Sequence, residues 1–254
     1  MSIHDYEKKA DQVSIPTATL ITCHSNADFD ALAAMCAAAL IYGPCDVLFP
    51  GTQEANLQTF YQELKERPGA APGCTFLDDR VPDFSKYGRL VAVDTRRRSR
   101  LRHVWPLLDN PGTRIEVWDH HPETSDDVHA HVCHAEICGA VTTLLIEEIQ
   151  KLNIAVPRET ATVLGLGIYS DTGSFSFSSV TQRDFAAAGW LLGRGMDINI
   201  ISEKTAFSMT KEHIRALNAL LESAQTYHIN GADVVLAEAT LDLSLIHISE
   251  PTRH

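Results

Sequence analysis

The stretch RIEVWDHH, residues 114–121, ends an apolar run with a carboxylate and two imidazoles. An acid and two rings on consecutive residues cannot all share one face of a strand, because successive side chains point to opposite faces. The pattern instead favours a position at the end of a strand, where the three side chains can face a bound group that takes oxygen and nitrogen ligands. Residues 114–119 are therefore predicted to form a strand that ends at Asp119.

Working outward, short apolar runs alternate with helical patterns along most of the chain. This alternation predicts an α/β fold, a Rossmann-like and mostly parallel sheet flanked by helices. Ligands of such sheets bind beyond the carboxyl ends of the strands. The predicted strands are 18–23, 46–50, 74–77, 89–94 and 114–119, and the predicted helices are 30–42, 52–67, 139–152, 157–171 and 181–195.

The C-terminal fifth of the sequence follows a different pattern. A long helical pattern precedes a turn at Asn230–Gly231 and a strand, after which the periodicity stops. The last residues resemble translated sequencing-adapter sequence, and we interpret them as non-native. The expected organisation is a first domain over 1–205, a linker helix over 206–228, the first strand of an incomplete second domain over 229–243, and the tail 244–254.

Composition excludes some functions. The 254 residues carry a formal net charge of -12, which repels long nucleic acid on average and favours a small anionic partner. The exception is RRRSRLRH, residues 96–103, which could be a solvated face of a helix that starts after Asp94, or a patch that faces phosphate. In the second reading, Arg97 and Arg100 reach the mouth of a cleft.

Cysteine usage and hydropathy indicate a cytoplasmic protein. The six cysteines form no CxxC pair, and the N-terminus does not resemble a secretory signal. The longest apolar stretch, residues 31–42, is too short to cross a bilayer. We therefore predict reduced thiols and no membrane association.

Acids and imidazoles collect at the predicted strand and helix ends. Each alone has an ordinary explanation, such as a helix N-cap or a turn. Together, four carboxylates in one cleft would repel one another unless cations balance them, and two divalent metals carry the matching charge. Carboxylate and imidazole ligands without thiolates suit Mn²⁺, whereas Mg²⁺ prefers oxygen alone. The residues are His24, Asp28 and Asp30, then Asp94, then Asp119, His120 and His121, and finally Asp171.

This order of motifs resembles the DHH phosphoesterase family over about residues 17–205. The pattern is H-x-x-x-D-x-D at 24–30, a strand-end Asp, the D-H-H triplet and a helix-end Asp. The variants NADFDA (26–31) and GIYSDTGSF (167–175) are most similar to the subgroup often fused to CBS and tRNA-nucleotidyltransferase-like domains. The full-length protein is therefore expected to carry such domains, and a homodimer is compatible with the family.

The resemblance implies roles for the metal ligands. His24 and Asp28 would bind one metal, Asp30 and His120 would bind the other, and two further aspartates would be shared or lie close to both. Those two are Asp94 and Asp171.

The resemblance also implies roles around the metals. Asp119 would orient a metal ligand, and His121 would face the substrate phosphate with a hydrogen bond or a proton. Family members normally carry a second, substrate-gripping domain with a glycine- and histidine-rich motif, and no GGGH-like string occurs in this chain.

Three functions follow from these residues. The first is a phosphodiesterase with two divalent cations that acts on short single-stranded oligonucleotides or cyclic dinucleotides. The second is a manganese-dependent inorganic pyrophosphatase. The third is a non-catalytic nucleotide-sensing module of a longer nucleotidyltransferase-type protein.

Overall fold

The computed structural model describes residues 18–67, 69–77, 82–205 and 211–240. These divide into two compact units, residues 1–205 and residues 206–254. The predicted tail at 244–254 and the first part of the predicted linker helix lie outside the described residues. No helix within the described ranges is long and apolar enough to cross a membrane.

The first unit is built on a parallel sheet with the strand order β3-β2-β1-β4-β5-β6. Every strand pair in it is parallel. This confirms the predicted α/β class, with β6 as the strand at one edge of the sheet. The strands are β1 (Ala18–Thr22), β2 (Cys45–Leu48), β3 (Cys74–Phe76), β4 (Tyr87–Val93), β5 (Arg114–Asp119) and β6 (Val132–Ala135).

Most helices follow predicted segments with shorter ends, while the first starts one residue earlier than predicted. The helices Trp105–Leu108 and Ile198–Thr205 were not predicted. The helices are α1 (Phe29–Tyr42), α2 (Ala55–Lys65), α3 (Trp105–Leu108), α4 (Val141–Lys151), α5 (Arg158–Asp171), α6 (Gln182–Leu192) and α7 (Ile198–Thr205).

The strand order reverses between β1 and β4, and this reversal places the site. The chain runs outward from β1 to β3, then crosses back to β4 and runs outward on the other side. Connections made in opposite directions cover opposite faces of a parallel sheet. One face is therefore covered by α1 and the helices packed with it, and the other by the segment around Leu101, Val104 and Leu107. The crevice for a ligand lies beyond the ends of β1 and β4.

Helix α1 is the central helix of the larger core. Its alanine-rich sequence has high helix propensity, Asp28 caps its first turn by accepting a hydrogen bond from Ala31 N, and Gly43 ends it at a φ of 85°. Small side chains let α5 approach it closely. A Cβ on Gly167 would lie 2.7 Å from Ala33 Cβ, so only glycine fits there.

The second unit begins with helix α8 (Lys211–Ser223) and continues as an antiparallel hairpin of β7 (Gln225–Ile229) and β8 (Ala232–Leu236). The helix predicted to reach residue 228 ends five residues earlier. Residues 225–229 pair with 232–236 across the Asn230–Gly231 turn, where both residues have positive φ, as a two-residue hairpin of this type requires.

Candidate metal centre

Three neighbouring strands bring the candidate residues to one edge of the sheet. His24 follows β1, Asp94 follows β4, and the Asp119–His120–His121 triplet ends β5. Asp94 has a φ of 58°, a left-handed conformation that is uncommon for an aspartate and typical of functional sites.

The first ligand group lies beside β1. His24 Nε2 is 3.1 Å from Asp94 Oδ2 and 3.8 Å from Asp28 Oδ2. One ligand atom from each of the three residues lies within 4.8 Å of the others. The three side chains could therefore surround one cation.

The second ligand group lies beside β5 and the end of α5. His120 Nε2 is 3.2 Å from Asp171 Oδ2 and 3.4 Å from Asp94 Oδ1. Asp30, His120 and Asp171 again offer three ligand atoms within 4.8 Å of one another. Asp94, His120 and His121 form a third such group. Asp94 therefore lies between the first two groups, with one carboxylate oxygen toward His24 and the other toward His120.

The chemistry of these side chains fits divalent cations. Asp94 Oδ1 is buried and has no hydrogen-bond partner among the described residues. A buried carboxylate oxygen without a partner is costly unless a cation or a water satisfies it. The two groups offer only imidazole nitrogens and carboxylate oxygens, with no thiolate. The site can hold two cations that share Asp94.

Without cations, burial and mutual repulsion disfavour the ionised form of two carboxylates in this centre. Burial, together with the negative charges of Asp30 and Asp94, raises the pKa of Asp171 to about 9. Burial and the charge of Asp94 raise the pKa of Asp30 to about 7. Like charges held together in this way are neutralised by protons or by metals.

Asp94 and His120 form the opposite case. Burial alone would raise the pKa of Asp94, but the neighbouring imidazoles of His120 and His24 outweigh it and hold that pKa well below its usual range. Burial alone would lower the pKa of His120, but the neighbouring carboxylate of Asp94 raises it to about 11. The two imidazoles thus supply positive charge to Asp94 where bound cations would otherwise do so.

Asp30 also has a structural role. Its carboxylate accepts hydrogen bonds from Val141 N at 2.7 Å and Thr142 N at 3.1 Å, at the start of α4. A Cβ on Gly167 would come within 3.0 Å of Asp30 Oδ1, so α5 must also pass close by. The side chain therefore joins α1 to α4 and faces the second ligand group at the same time.

Asp119 positions the histidines that follow it. It is fully buried, and its Oδ1 accepts hydrogen bonds from the backbone N of His120 at 2.9 Å and from His121 Nδ1 at 2.7 Å. The ring of His120 is instead held by the carbonyl of Cys138, 3.0 Å from Nδ1. The ring that Asp119 orients is therefore that of His121, whose side chain is 38% exposed.

Arg96 contacts this triplet, and the sequence analysis did not single it out. Its Nη2 donates to the carbonyl of His121 at 2.9 Å, and its Nε lies 2.9 Å from Asp127 Oδ2 and 3.6 Å from Asp119 Oδ2. The signal was present in the basic run 96–103, but the sequence could not show which of its arginines points inward.

The helix expected directly after Asp94 is absent, and that prediction was wrong. Residues Arg98–Arg100 and Arg102–Val104 form single 3₁₀ turns, and α3 begins only at Trp105. The reason is a backbone pairing with the segment before β6. Arg98 N bonds Asp126 O, Val128 N bonds Arg96 O, and Arg97 is extended beside Asp127.

Arg97 and Arg100, the two arginines predicted to face substrate, have different surroundings in the structure. Arg100 lies at the centre, with Nη2 2.8 Å from His24 Nδ1 and its carbonyl accepting from Ser25 N. Arg97 is exposed, and its charge acts on Asp126, whose pKa is lowered by hydrogen bonds from Ser99 and also by Arg97. Arg100 thus lies against the first ligand group, whereas Arg97 lies along the 126–128 segment.

The fold and the centre together define an α/β domain with a carboxylate–imidazole centre at the reversal of its strand order. The relatives described below support a DHH domain in this chain, as the order of its motifs predicted. No family model matches the sequence. The assignment instead follows from individual relatives.

The chain is 40% identical over 223 residues to the A-adding tRNA nucleotidyltransferase of Geobacter sulfurreducens. The aligned region covers 88% of this chain and 25% of that protein. It is 29% identical over 154 residues to the bifunctional oligoribonuclease and PAP phosphatase of Thermus thermophilus, covering 60% of this chain and 45% of that protein. It is 25% identical over 155 residues to a probable manganese-dependent inorganic pyrophosphatase of Bacillus mycoides, with 54% and 49% covered. The chain thus spans a quarter to a half of these relatives.

The architecture also matches a solved structure. An exopolyphosphatase-related protein from Bacteroides fragilis superposes with a TM-score of 0.62 at 17% identity, covering 83% of this chain and 62% of that chain. At this identity the match shows a shared fold.

Proposed function

We propose that this chain carries a divalent-metal-dependent phosphoesterase that hydrolyses phosphodiester bonds of short oligonucleotides or cyclic dinucleotides. The observation that carries the proposal is the position of Asp94. It lies between two groups of potential ligands, with one buried oxygen that nothing else in the described chain satisfies.

The ligand sets follow from the two groups. His24, Asp28 and Asp94 hold one cation, and Asp30, His120 and Asp171 hold the other, with Asp94 shared. Two divalent ions, when bound, activate an attacking water and stabilise the leaving oxygen of a phosphate ester. Binding also removes the repulsion that raises the pKa of Asp30 and Asp171.

His121 acts on the substrate phosphate. With Nδ1 bound to Asp119, its Nε2 is the nitrogen left to donate a hydrogen bond or a proton to a phosphate oxygen. Its side chain is 38% exposed, which supports a position at the mouth of the centre, near Arg100. Arg100 adds a positive charge there.

Manganese is the metal that these ligands suit best. Mixed carboxylate and imidazole sites favour it over Mg²⁺, which prefers oxygen ligands, and over structural Zn²⁺, which prefers Cys and His. The name of the Bacillus relative includes manganese dependence.

A small anionic substrate agrees with the charge of the chain. The formal net charge of -12 disfavours long nucleic acid, while the arginines of 96–103 provide local positive charge. The Thermus relative is named as a bifunctional oligoribonuclease and PAP phosphatase.

Two variants test the assignment of roles. Asp94→Ala should lose manganese binding, measured by calorimetry, and hydrolysis of bis-p-nitrophenyl phosphate. His121→Ala should keep manganese binding and lose mainly turnover. Unchanged hydrolysis by Asp94→Ala would contradict the mechanism.

A pyrophosphatase is the second candidate, favoured by the Bacillus relative. It would use the same residues on a smaller substrate. The ratio of phosphate release from pyrophosphate to cleavage of bis-p-nitrophenyl phosphate separates the two activities.

A nucleotide-sensing role is the third candidate, favoured by the Geobacter relative, of which the chain spans a quarter. In that case the domain would bind nucleotide within a longer nucleotidyltransferase-type polypeptide and would not turn it over. Nucleotide binding without hydrolysis by the full-length protein would support this role.

A further inference from the structure

A polar cavity of about 230 Å³ lies beside the metal centre, at the carboxyl ends of β2 and β3. Pockets that enclose a drug-sized ligand measure roughly 300–1,000 Å³, so this one has room for a single ring system. Its walls come from residues 49–52, the exposed side of α2 and Leu77. The residues are Phe49, Pro50, Gly51, Thr52, Gln58, Tyr61, Gln62, Lys65 and Leu77.

One wall of the cavity is aromatic. Phe49 is half-buried and stacks on the buried Tyr61, with ring centroids 4.2 Å apart and an angle of 26° between the planes. Tyr61 is fixed in turn by an edge contact with Phe76 at 5.4 Å. Phe49, held by Tyr61 in this way, offers a rigid platform on which a planar heterocycle can stack.

Helix α2 offers hydrogen bonds and one positive charge to the same cavity. Gln58 and Gln62 are exposed and lie four residues apart on α2, so their amides share one face of the helix. A glutamine amide both donates and accepts, which matches the N6 and N7 edge of adenine. Of the described residues that line the cavity, Lys65 alone carries a charge, which favours an anionic ligand over a cationic one.

The cavity is also tied to the centre through the backbone. Ala27 N donates to Gly51 O at 2.9 Å, and Gln53 N donates to Asn26 Oδ1 at 2.8 Å. The cavity loop 49–53 is thus joined to the segment that carries His24 and Asp28. A nucleotide with its phosphate at the metal centre could extend along this edge of the sheet toward the cavity.

From these observations we propose that the cavity is an adenine-binding subsite for a nucleotide substrate. The base stacks on Phe49, and the amides of Gln58 and Gln62 read its edge. The proposal rests on the proposed phosphoesterase function for the identity of the ligand as a substrate, but the cavity can be tested without turnover.

Equilibrium binding is the first test. Calorimetry on the whole metal-free chain compares adenosine 5′-monophosphate with ribose 5-phosphate, which has the same phosphate and lacks the base. Adenosine 5′-monophosphate should bind about tenfold more tightly, the order expected for one stacked base. Equal affinities would overturn the proposal.

Variants locate the binding. Gln62→Leu and Phe49→Leu should each weaken adenosine 5′-monophosphate toward the affinity of ribose 5-phosphate, with the latter unchanged. Gln182→Leu is the matched control, because Gln182 is an exposed glutamine of α6 that does not line the cavity. Wild-type affinity in both cavity variants would place the base elsewhere and overturn the proposal.

Kinetics separate the two proposals. Gln62→Leu should raise KM for an adenosine dinucleotide about tenfold and leave hydrolysis of bis-p-nitrophenyl phosphate, which has no base, unchanged. An equal effect on both substrates would overturn the subsite. If the wild type hydrolyses neither compound, the phosphoesterase proposal fails, and the binding comparison still decides on the cavity.

Discussion

Asp184 and Asp94 are two buried aspartates of the same domain with opposite surroundings. Asp184 accepts hydrogen bonds from Gly139 N, Thr143 Oγ1, and both N and Oγ1 of Thr181, at 2.7–2.9 Å. Asp94 faces the imidazoles of three histidines and lies near three other carboxylates, and its Oδ1 has no hydrogen-bond partner among the described residues.

The pKa directions in the two regions show the same contrast. Burial would raise the pKa of Asp184, but hydrogen bonds from Thr143 and Thr181 outweigh it and lower that pKa. Around Asp94, burial and neighbouring charges raise the pKa of Asp30 and Asp171. Neutral donors stabilise a structural carboxylate, whereas the crowded carboxylates around Asp94 leave the positive charge to be supplied from outside.

The largest expected effect separates these two aspartates. Asp94→Ala should reduce manganese-dependent hydrolysis about a thousandfold or more, since it removes the proposed ligand that both metals would share. Asp184→Ala should instead lower the free energy of unfolding by about 3 kcal/mol, because it leaves several buried donors unpaired. Urea unfolding of the metal-free proteins and hydrolysis assays measure both. The contrast between Asp94 and Asp184 fails if both variants mainly reduce hydrolysis, or if both mainly lower the free energy of unfolding.

Stability as a function of pH sharpens the comparison. The pKa of Asp171 rises from an ordinary value near 4 in the unfolded chain to about 9 in the fold, so the folded state holds a proton that the unfolded state has released. Metal-free wild type should therefore lose stability relative to Asp171→Asn as pH rises from about 4 to about 9.

Asp184 should behave in the opposite way. Its lowered pKa contributes stability that is present above the pKa of the unfolded chain and is lost as pH falls below it.

Saturating manganese should reverse the trend caused by Asp171, since metals bind the deprotonated carboxylate. A pH-independent difference between wild type and Asp171→Asn would contradict the raised pKa.

Arg96 tests how the Asp119–His120–His121 triplet is positioned. Arg96→Ala should lower kcat about 10- to 100-fold, the usual cost of losing a residue that orients the groups around a metal. Manganese affinity should fall less, because Arg96 contacts Asp119 and His121 and none of the six ligands proposed for the two metals.

The matched control is Arg98→Ala. Arg98 forms an exposed ion pair with Asp109, 2.8 Å apart, which contributes little to stability. The kcat of Arg98→Ala should stay near the wild-type value. Arg96→Lys should restore only part of the activity, because a lysine cannot reach both the His121 carbonyl and Asp127 with the geometry of a guanidinium.

The sequence predicted the parallel sheet and the clustering of acids and imidazoles because both follow from local patterns. Alternating apolar runs and helical periodicity define the elements, and parallel strands bring their carboxyl ends together. His24, Asp94 and His120 could therefore be placed at one edge without coordinates.

The sequence failed where pairing between distant segments overrides local preference. The basic run after Asp94 reads as a helix, but its backbone pairs with residues 126–128, and only this pairing turns Arg96 inward and Arg97 outward. The exposed side of α2 shows a polar helical face in sequence, and nothing local shows that Phe49 closes it into a cavity.

The smallest effect concerns Thr181, the capping residue of α6. Its backbone N and hydroxyl both donate to Asp184 Oδ2. Thr181→Ala keeps the first of these hydrogen bonds and removes the second, so it should cost about 1 kcal/mol of stability. Thr59→Ala is the control, since Thr59 is exposed and its hydroxyl bonds only within its own helix. If Asp184 is structural and Asp94 functional, Thr181→Ala lowers the melting temperature while manganese affinity and hydrolysis stay at wild-type values. A loss of metal affinity would instead mean that the two aspartates are coupled through Gly139 and α4, which would weaken the contrast between them.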